Sequence, residues 1–146
     1  MRRSRKLHRP WVAAPSTAVA YRAYLRRARL PTNASYLLRL RTGELVGVVN
    51  LSEIVRGNFR SAYLGYYAFA PHAGQGWMAQ GLARAIRVAF GRLRLHRVEA
   101  NIQPGNKASL RLVRRLGFRR EGYSPRYLKI GGRWRDHERW ALLADR

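Results

Sequence analysis

The spacing of apolar residues changes several times along this chain, and each change predicts an element. "AVAYRAYLRRARL" repeats at helical spacing, with Tyr21, Tyr24 and Leu25 on one face and Ser16 or Thr17 placed to cap the first turn. "SYLLRLR" and "ELVGVVNL" alternate around the turn "TG" like a hairpin, and "RSAYLGYYAF" reads as a third strand after the loop "SEIVRGNFR". Past Pro71 the spacing is helical again. Leu82, Ile86, Ala89 and Phe90 share a face, Arg84 and Arg87 take the other side, and Gly91 stops the run. A short strand "HRVEANI" follows, and Asn106 then caps the helix "KASLRLVRRL", with Ala108, Leu112 and Leu116 as an apolar stripe ended by Gly117. "FRREGY", "RYLKI" and "RWRDHERWALL" finish the chain, the last two joined by Gly131-Gly132, a dipeptide suited to a hairpin turn. This order predicts an α/β fold in one domain, residues 1–146, with a mostly antiparallel sheet and one parallel crossover.

Composition narrows the chemistry. A chain of 146 residues can bury a core without covalent staples, and it contains no cysteine, which excludes thiol nucleophiles, thiolate metal sites and disulfides. No stretch reaches the ~20 apolar residues of a membrane span, and "MRRSRKLHRPW" has no apolar segment behind it to make a signal peptide. The expectation is a soluble, cytoplasmic protein with no membrane contact. The net charge of +23 points toward polyanions such as nucleic acid, a ribosome or a phosphate-rich cofactor. Nearly all of that charge is arginine, spread through every segment, so a coding bias toward arginine explains it equally well.

The stretch "AFAPHAGQGWMAQ" carries the first specific chemistry. A strand that stops at Pro71 and restarts as a helix near Met78 exposes the backbone N–H groups of Gln75, Gly76, Trp77 and Met78, which have no intrahelical partner. Gly74 and Gly76 let the backbone approach an anion closely. "GQGWMA" also fits a loose dinucleotide fingerprint, with Glu99 placed about 20 residues on as a ribose-binding acid. That reading needs a doubly wound parallel sheet, and the antiparallel meander before the motif argues against it.

"APHAGQGWMAQGL", "LHRVEANIQPGNKASLRLVRRLGFRREG" and "YLKIGGRWRDHERWALL" together resemble the GCN5-related N-acetyltransferases (GNAT), most of all the branch that acetylates ribosomal-protein alanine N-termini. The most specific parts are the helix start Asn106-x-x-Ser109, the "LGF" after it and the terminal "WRDH". The resemblance implies the GNAT fold, in which a central parallel pair of strands splays apart, flanked by helices. It implies acetyl-CoA as co-substrate, with its pyrophosphate on the loop from Ala73 through Gly74, Gln75, Gly76 and Trp77 to Met78. Ala73 and Met78 depart from the family pattern there, and Arg84 is a candidate counter-charge. The pantetheine arm is implied beside Tyr67, Ala68 and Phe69, splayed from the strand holding Glu99 and Asn101, with backbone N–H groups near Phe69 polarising the acetyl carbonyl. Asn106 is implied to contact the arm, and Ser109 to assist departure of the thiolate.

The family's glutamate base stands five residues before the capping asparagine, a position occupied here by Asn101. Glu99, on the same strand face, is the substitute base, with a salt bridge to Arg97 as its structural alternative. The family's tyrosine acid falls on Val113, which leaves that role to Ser109 or solvent. His137 is a further candidate for proton transfer, Asp136 facing the other way, and Tyr123 and Tyr127 are candidate acceptor contacts. An α-amine, with pKa near ~7.7–8.0, needs a weaker base than lysine at ~10.4, which favours a protein N-terminus, such as that of a ribosomal protein, as acceptor. Direct transfer requires no metal and no covalent enzyme intermediate. The family usually opens with a strand carrying an L-R-P-like segment, whereas "SRKLHRPW" already matches the helical part, so either the start codon is assigned too late or the sheet lacks its first edge strand, an open edge that would favour a homodimer. A small-molecule amine acetyltransferase and a non-enzymatic protein binding nucleic acid or ribosomal RNA are the other readings.

Overall fold

In the computed structural model, residues 2–144 are described. A 3-10 turn at Arg2–Ser4 leads into a short helix, α1 (Arg5–His8), and a longer one, α2 (Ala18–Ala28). Strands β1 (Ala34–Arg39), β2 (Leu45–Val55) and β3 (Ser61–Ala68) form the meander, and helix α3 (Trp77–Phe90) crosses to β4 (Arg97–Ile102). Helix α4 (Lys107–Arg115) then leads to the hairpin of β5 (Arg119–Ile130) and β6 (Arg133–Leu143). The six strands form one sheet in the order β1-β2-β3-β4-β6-β5. Only β3 and β4 are parallel; the other neighbours are antiparallel.

Strand alternation divides the sheet into two faces. Val49 and Leu51 of β2, Ala62 and Leu64 of β3, and Val98, Ala100 and Ile102 of β4 pack with Trp140 against Leu82, Ala85, Ile86 and Ala89 of α3 and Leu110 and Val113 of α4. This is the main core, built from the period of two in strands and 3.6 in helices. The intervening residues face α1 and α2, where the Tyr24 hydroxyl donates to Asn50 Oδ1 at 2.8 Å. Helix α2 buries no residue fully, and Tyr21 is exposed. Gly81 lets α3 lie directly on β1, because a Cβ there would overlap the side chain of Leu38.

Three local expectations are corrected. "SEIV" belongs to β2 rather than to a loop: Ile54 is buried, its N–H donates to the Thr32 carbonyl, and a bulge at Glu53 (φ 50°) lets the strand continue. "FRREGY" and "RYLKI" are one strand, bulged between Ser124 and Leu128 with Arg126 at φ 46°. The buried residues of α4 are Leu110 and Val113, whereas Ala108 is exposed. Helix α3 begins at Trp77, beside the expected Met78, with Gly76 (φ 83°) as its N-cap.

Strand β1 pairs on one side only and is a sheet edge; among the described residues no strand precedes the meander. The N-terminal segment instead crosses the other end of the sheet. Ser4 Oγ accepts from the Ala70 N–H at 3.0 Å, the His8 ring donates through Nε2 to the Ala68 carbonyl at 2.7 Å, and Gln103 Nε2 donates to the Pro10 carbonyl at 3.1 Å.

Candidate active site

Strands β3 and β4 pair through three positions, Ser61 with Arg97, Ala62 with Val98 and Tyr63 with Glu99, and then separate. Beyond that point each keeps its outer partner: β3 stays on β2 as far as Ala68, and β4 stays on β6 as far as Ile102. The inner backbone groups lose their ladder and require other partners. The Phe69 N–H donates to the Val46 carbonyl at 2.7 Å, so ladder alternation turns the backbone of Ala68 toward the gap. The gap is a cavity of about 530 Å³. Its walls come from both faces of the sheet.

On the α3/α4 side the cavity meets Gly74, Gly76 and Met78. Gly74 (φ 79°) and Gly76 (φ 83°) hold backbone that favours glycine, and a Cβ on either would meet nothing within 4 Å, so the space over them is open. Gly76 offers no side-chain cap, leaving the first N–H groups of α3 aimed outward. Arg111 and Arg115 of α4 line this wall, whereas Arg84 is exposed outside it, so the counter-charges at the cavity lie on α4. Asn106 Oδ1 accepts from the Ser109 N–H at 3.2 Å, which fixes the helix start. Ser109 Oγ and the Tyr66 hydroxyl share a hydrogen bond of 2.5 Å. Burial pushes the Tyr66 pKa up to about 12, with the bond to Ser109 working in the opposite direction, so this phenol keeps its proton.

On the other side the cavity meets Tyr67, Asn101, His137 and the segment containing Leu7, His8, Trp11 and Val12. His137 is 3% exposed, and its Nδ1–H donates to the Arg135 carbonyl at 2.9 Å. Because a carbonyl only accepts, this bond places the proton of the neutral ring on Nδ1 and the lone pair on Nε2. Burial lowers the His137 pKa, against smaller upward pulls from the Arg135 carbonyl and Asp136. Asn101 Oδ1 and the Tyr67 hydroxyl are both buried without a hydrogen-bond partner. Burial raises the Tyr67 pKa, so this phenol too stays protonated.

The remaining candidates lie elsewhere. Glu99 sits in the paired half of β4 and does not line the cavity; Arg97 holds its carboxylate at 2.7 Å and also grips Glu121. Phe69, Gln75 and Trp77 are likewise outside the cavity lining. The Phe69 N–H is committed to β2, Gln75 Nε2 donates to the Pro71 carbonyl, and the Trp77 indole donates to Gln75 Oε1. Asp136 accepts from the Tyr123 hydroxyl and from the Arg126 N–H, while the Tyr127 ring lies 6.2 Å from that of His137. Sequence reasoning missed Tyr66, His8, Trp11, Gln103, Arg111 and Arg115. Alternation from Ala62 through Leu64 was a signal for Tyr66, because it places that residue on the α4 side.

A parallel pair that splays over a glycine-opened helix start, with a cavity passing through the sheet, is an acetyltransferase architecture. Residues 1–119 match the acetyltransferase (GNAT) domain, and the chain belongs to that family. It is 46% identical over 99 residues, 68% of this chain and 51% of the relative, to the [ribosomal protein uS5]-alanine N-acetyltransferase of Escherichia coli (strain K12). It is 31% identical over 101 residues, 68% of this chain and 57% of the relative, to the spermidine N(1)-acetyltransferase of Vibrio cholerae. Among solved structures, Mycobacterium smegmatis RimJ in complex with CoA-disulfide superposes with a TM-score of 0.84 at 29% identity, over 97% of this chain and 72% of that one. The chain spans about half the length of the curated relatives it matches most strongly.

Proposed function

We propose that this chain transfers an acetyl group from acetyl-CoA directly to a protein N-terminal α-amine, with a ribosomal protein as the acceptor. The observation that carries this reading is the cavity lined from both faces of the sheet, so two substrates can meet between β3 and β4. The residues fit the co-substrate. Open space over Gly74 and Gly76 and free N–H groups from Gln75 to Met78 suit a pyrophosphate, with Arg111 and Arg115 as counter-charges. The turned-out N–H of Ala68, beside Tyr67, together with the unpartnered Asn101 Oδ1 and the helix start at Asn106, suits an amide-bearing arm, the Ala68 carbonyl being held by His8. When bound, acetyl-CoA supplies an activated acetyl thioester and a thiolate leaving group.

The protein's part is proton management. His137 Nε2 takes the proton of the attacking amine; its depressed pKa keeps it unprotonated at neutral pH. This role goes to His137 rather than Glu99, whose carboxylate is spent on Arg97. On the opposite wall, with the Tyr66 hydroxyl as donor in its bond to Ser109 Oγ, the serine hydroxyl hydrogen is free for the leaving side. An N-terminal amine is substantially neutral near its pKa of ~7.7–8.0, so a weak imidazole base is sufficient.

The uS5-alanine acetyltransferase relative supports the ribosomal acceptor, and the net charge of +23 suits docking beside ribosomal RNA in the cytoplasm. The unpaired edge of β1 suits a homodimer. The spermidine relative keeps a polyamine reading in play, which the same positive charge disfavours by repelling a polycation. The test is calorimetric titration with acetyl-CoA of the wild type and of Gly76→Asp, which sets a carboxylate among the outward N–H groups. Acetylation of alanine-starting peptides and of spermidine is then compared. Saturable binding lost in the variant, with peptides preferred, is expected. Indifference to acetyl-CoA together with salt-steep RNA binding would replace this reading by a nucleic-acid-binding one.

A further inference from the structure

A second cavity, of about 760 Å³, lies on the α1/α2 face and shares His8 and Val12 with the first. Its other walls include Arg5, Arg9 and Arg135, the α2 start at Ser16 and Thr17, and Ile130 at the hairpin tip. Among the described residues no acidic side chain lines it. The Nε of Arg135 is buried and has no hydrogen-bond partner, so part of a guanidinium is desolvated with nothing to accept its proton. Arg135 also stands two residues from His137 on one face of β6, which ties this cavity to the side from which an acceptor would reach the base.

We propose that this cavity is a subsite for a carboxylate side chain carried by the acceptor polypeptide within the first few residues after its reactive amine. The inference rests on the proposed N-terminal acceptor and adds a preference for acidic acceptor segments. A guanidinium presents paired donors that match a carboxylate in plane; the three positive charges repel a basic side chain, and the buried Arg135 Nε–H is left unmet by an apolar one, while Arg5 and Arg9 stay hydrated. The same donors suit an RNA phosphate. The two cavities are neighbours that share His8 and Val12 as lining, which favours the peptide, whose amine and side chain then occupy adjacent sites.

The experiment uses the full chain and peptides that start with alanine, carry a dye at the C-terminus, and differ only in having glutamate or glutamine at the third and fourth positions. Fluorescence anisotropy gives the ratio of the two affinities, and acetyl transfer gives the ratio of kcat/KM. Wild type is compared with Arg5→Gln, Arg9→Gln and Arg135→Gln, singly and together. Because each readout is a ratio within one variant, partial loss of folding cancels. A preference for the acidic peptide of about tenfold, collapsing toward unity in the triple variant, is expected. Equal affinities in the wild type, or a ratio that the substitutions leave unmoved, overturns the subsite. So does loss of binding to a short single-stranded RNA while the peptide ratio stays constant. If spermidine is acetylated and no peptide is, the proposed acceptor fails, and anisotropy still decides the subsite separately.

Discussion

The two halves of the β3/β4 pair have the same strand chemistry and opposite uses. Glu99 and Asn101 point to one face of β4, two residues apart. In the paired half, Glu99 is saturated by Arg97; in the splayed half, Asn101 Oδ1 is buried with no partner. The carboxylate, the stronger acid–base group, is where the sheet is closed, and the neutral amide is where it is open. A group therefore serves the cleft by standing beyond the last rung of the ladder, whatever its intrinsic reactivity. His137 satisfies that condition, since its neighbour Glu138 pairs with Ile102, at the end of β4 past the rung at Glu99.

The sharpest test of this contrast is His137→Gln against Glu99→Gln in one acetylation assay. His137→Gln is expected to lower kcat by about 10² or more, the range of a lost general base. In the wild type, the acid-side fall in kcat should be displaced below the ordinary imidazole value of ~6.5, because burial lowers the pKa of the ring. That acidic limb should vanish in the variant. Stability carries the same sign: the folded ring binds its proton less readily than the unfolded one, so urea midpoints should be highest above about pH 6.5 and decline as the pH falls through the folded-state value.

Ser109→Ala removes one hydrogen bond on the leaving side, and a loss of about tenfold in kcat with KM nearly unchanged is expected from steady-state kinetics. Asn101→Ala should act on KM for acetyl-CoA rather than on kcat, by up to about tenfold, the value of a single neutral hydrogen bond. Glu99→Gln closes the series. It should leave kcat/KM within twofold and cost about 1 kcal/mol in urea unfolding, because Arg97 keeps Glu121 as a partner. A large activity loss there would move the base back to the paired half.

Much of the fold was legible because the periods were clean: the meander, the crossover helix and the final hairpin all follow from them. The end of β2 was not, because Glu53 takes a left-handed backbone that breaks the alternation just where "RGNFR" reads as a loop. On α4, counting apolar residues at every fourth position chose Ala108, Leu112 and Leu116. Leu112 and Leu116 do pack at the margin of the core, but Ala108 is exposed and the fully buried positions are Leu110 and Val113, because the angle at which a helix crosses a sheet is not written in its own period. In the site, local signals marked the glycine turn and the helix start at Asn106 and Ser109, the family resemblance marked Asn101, and the last strand offered His137; apart from Gln75 and Trp77 of the turn, these positions line the cavity. Whether Glu99 lay before or after the point of splay was not, since parallel register depends on partners far away in the chain. The Tyr66–Ser109 contact spans 43 residues and is likewise invisible to local reading.

The contact between Ser4 and Ala70 also fixes a route. Ser4 is 2% exposed and bonded to the backbone just past the end of β3, and the next turn of chain is clamped through His8. Any polypeptide joined upstream of Ser4 would therefore start from a point anchored just past the end of β3. An affinity handle on that side would crowd the doorway of the cleft, whereas one placed after β6 would leave it clear.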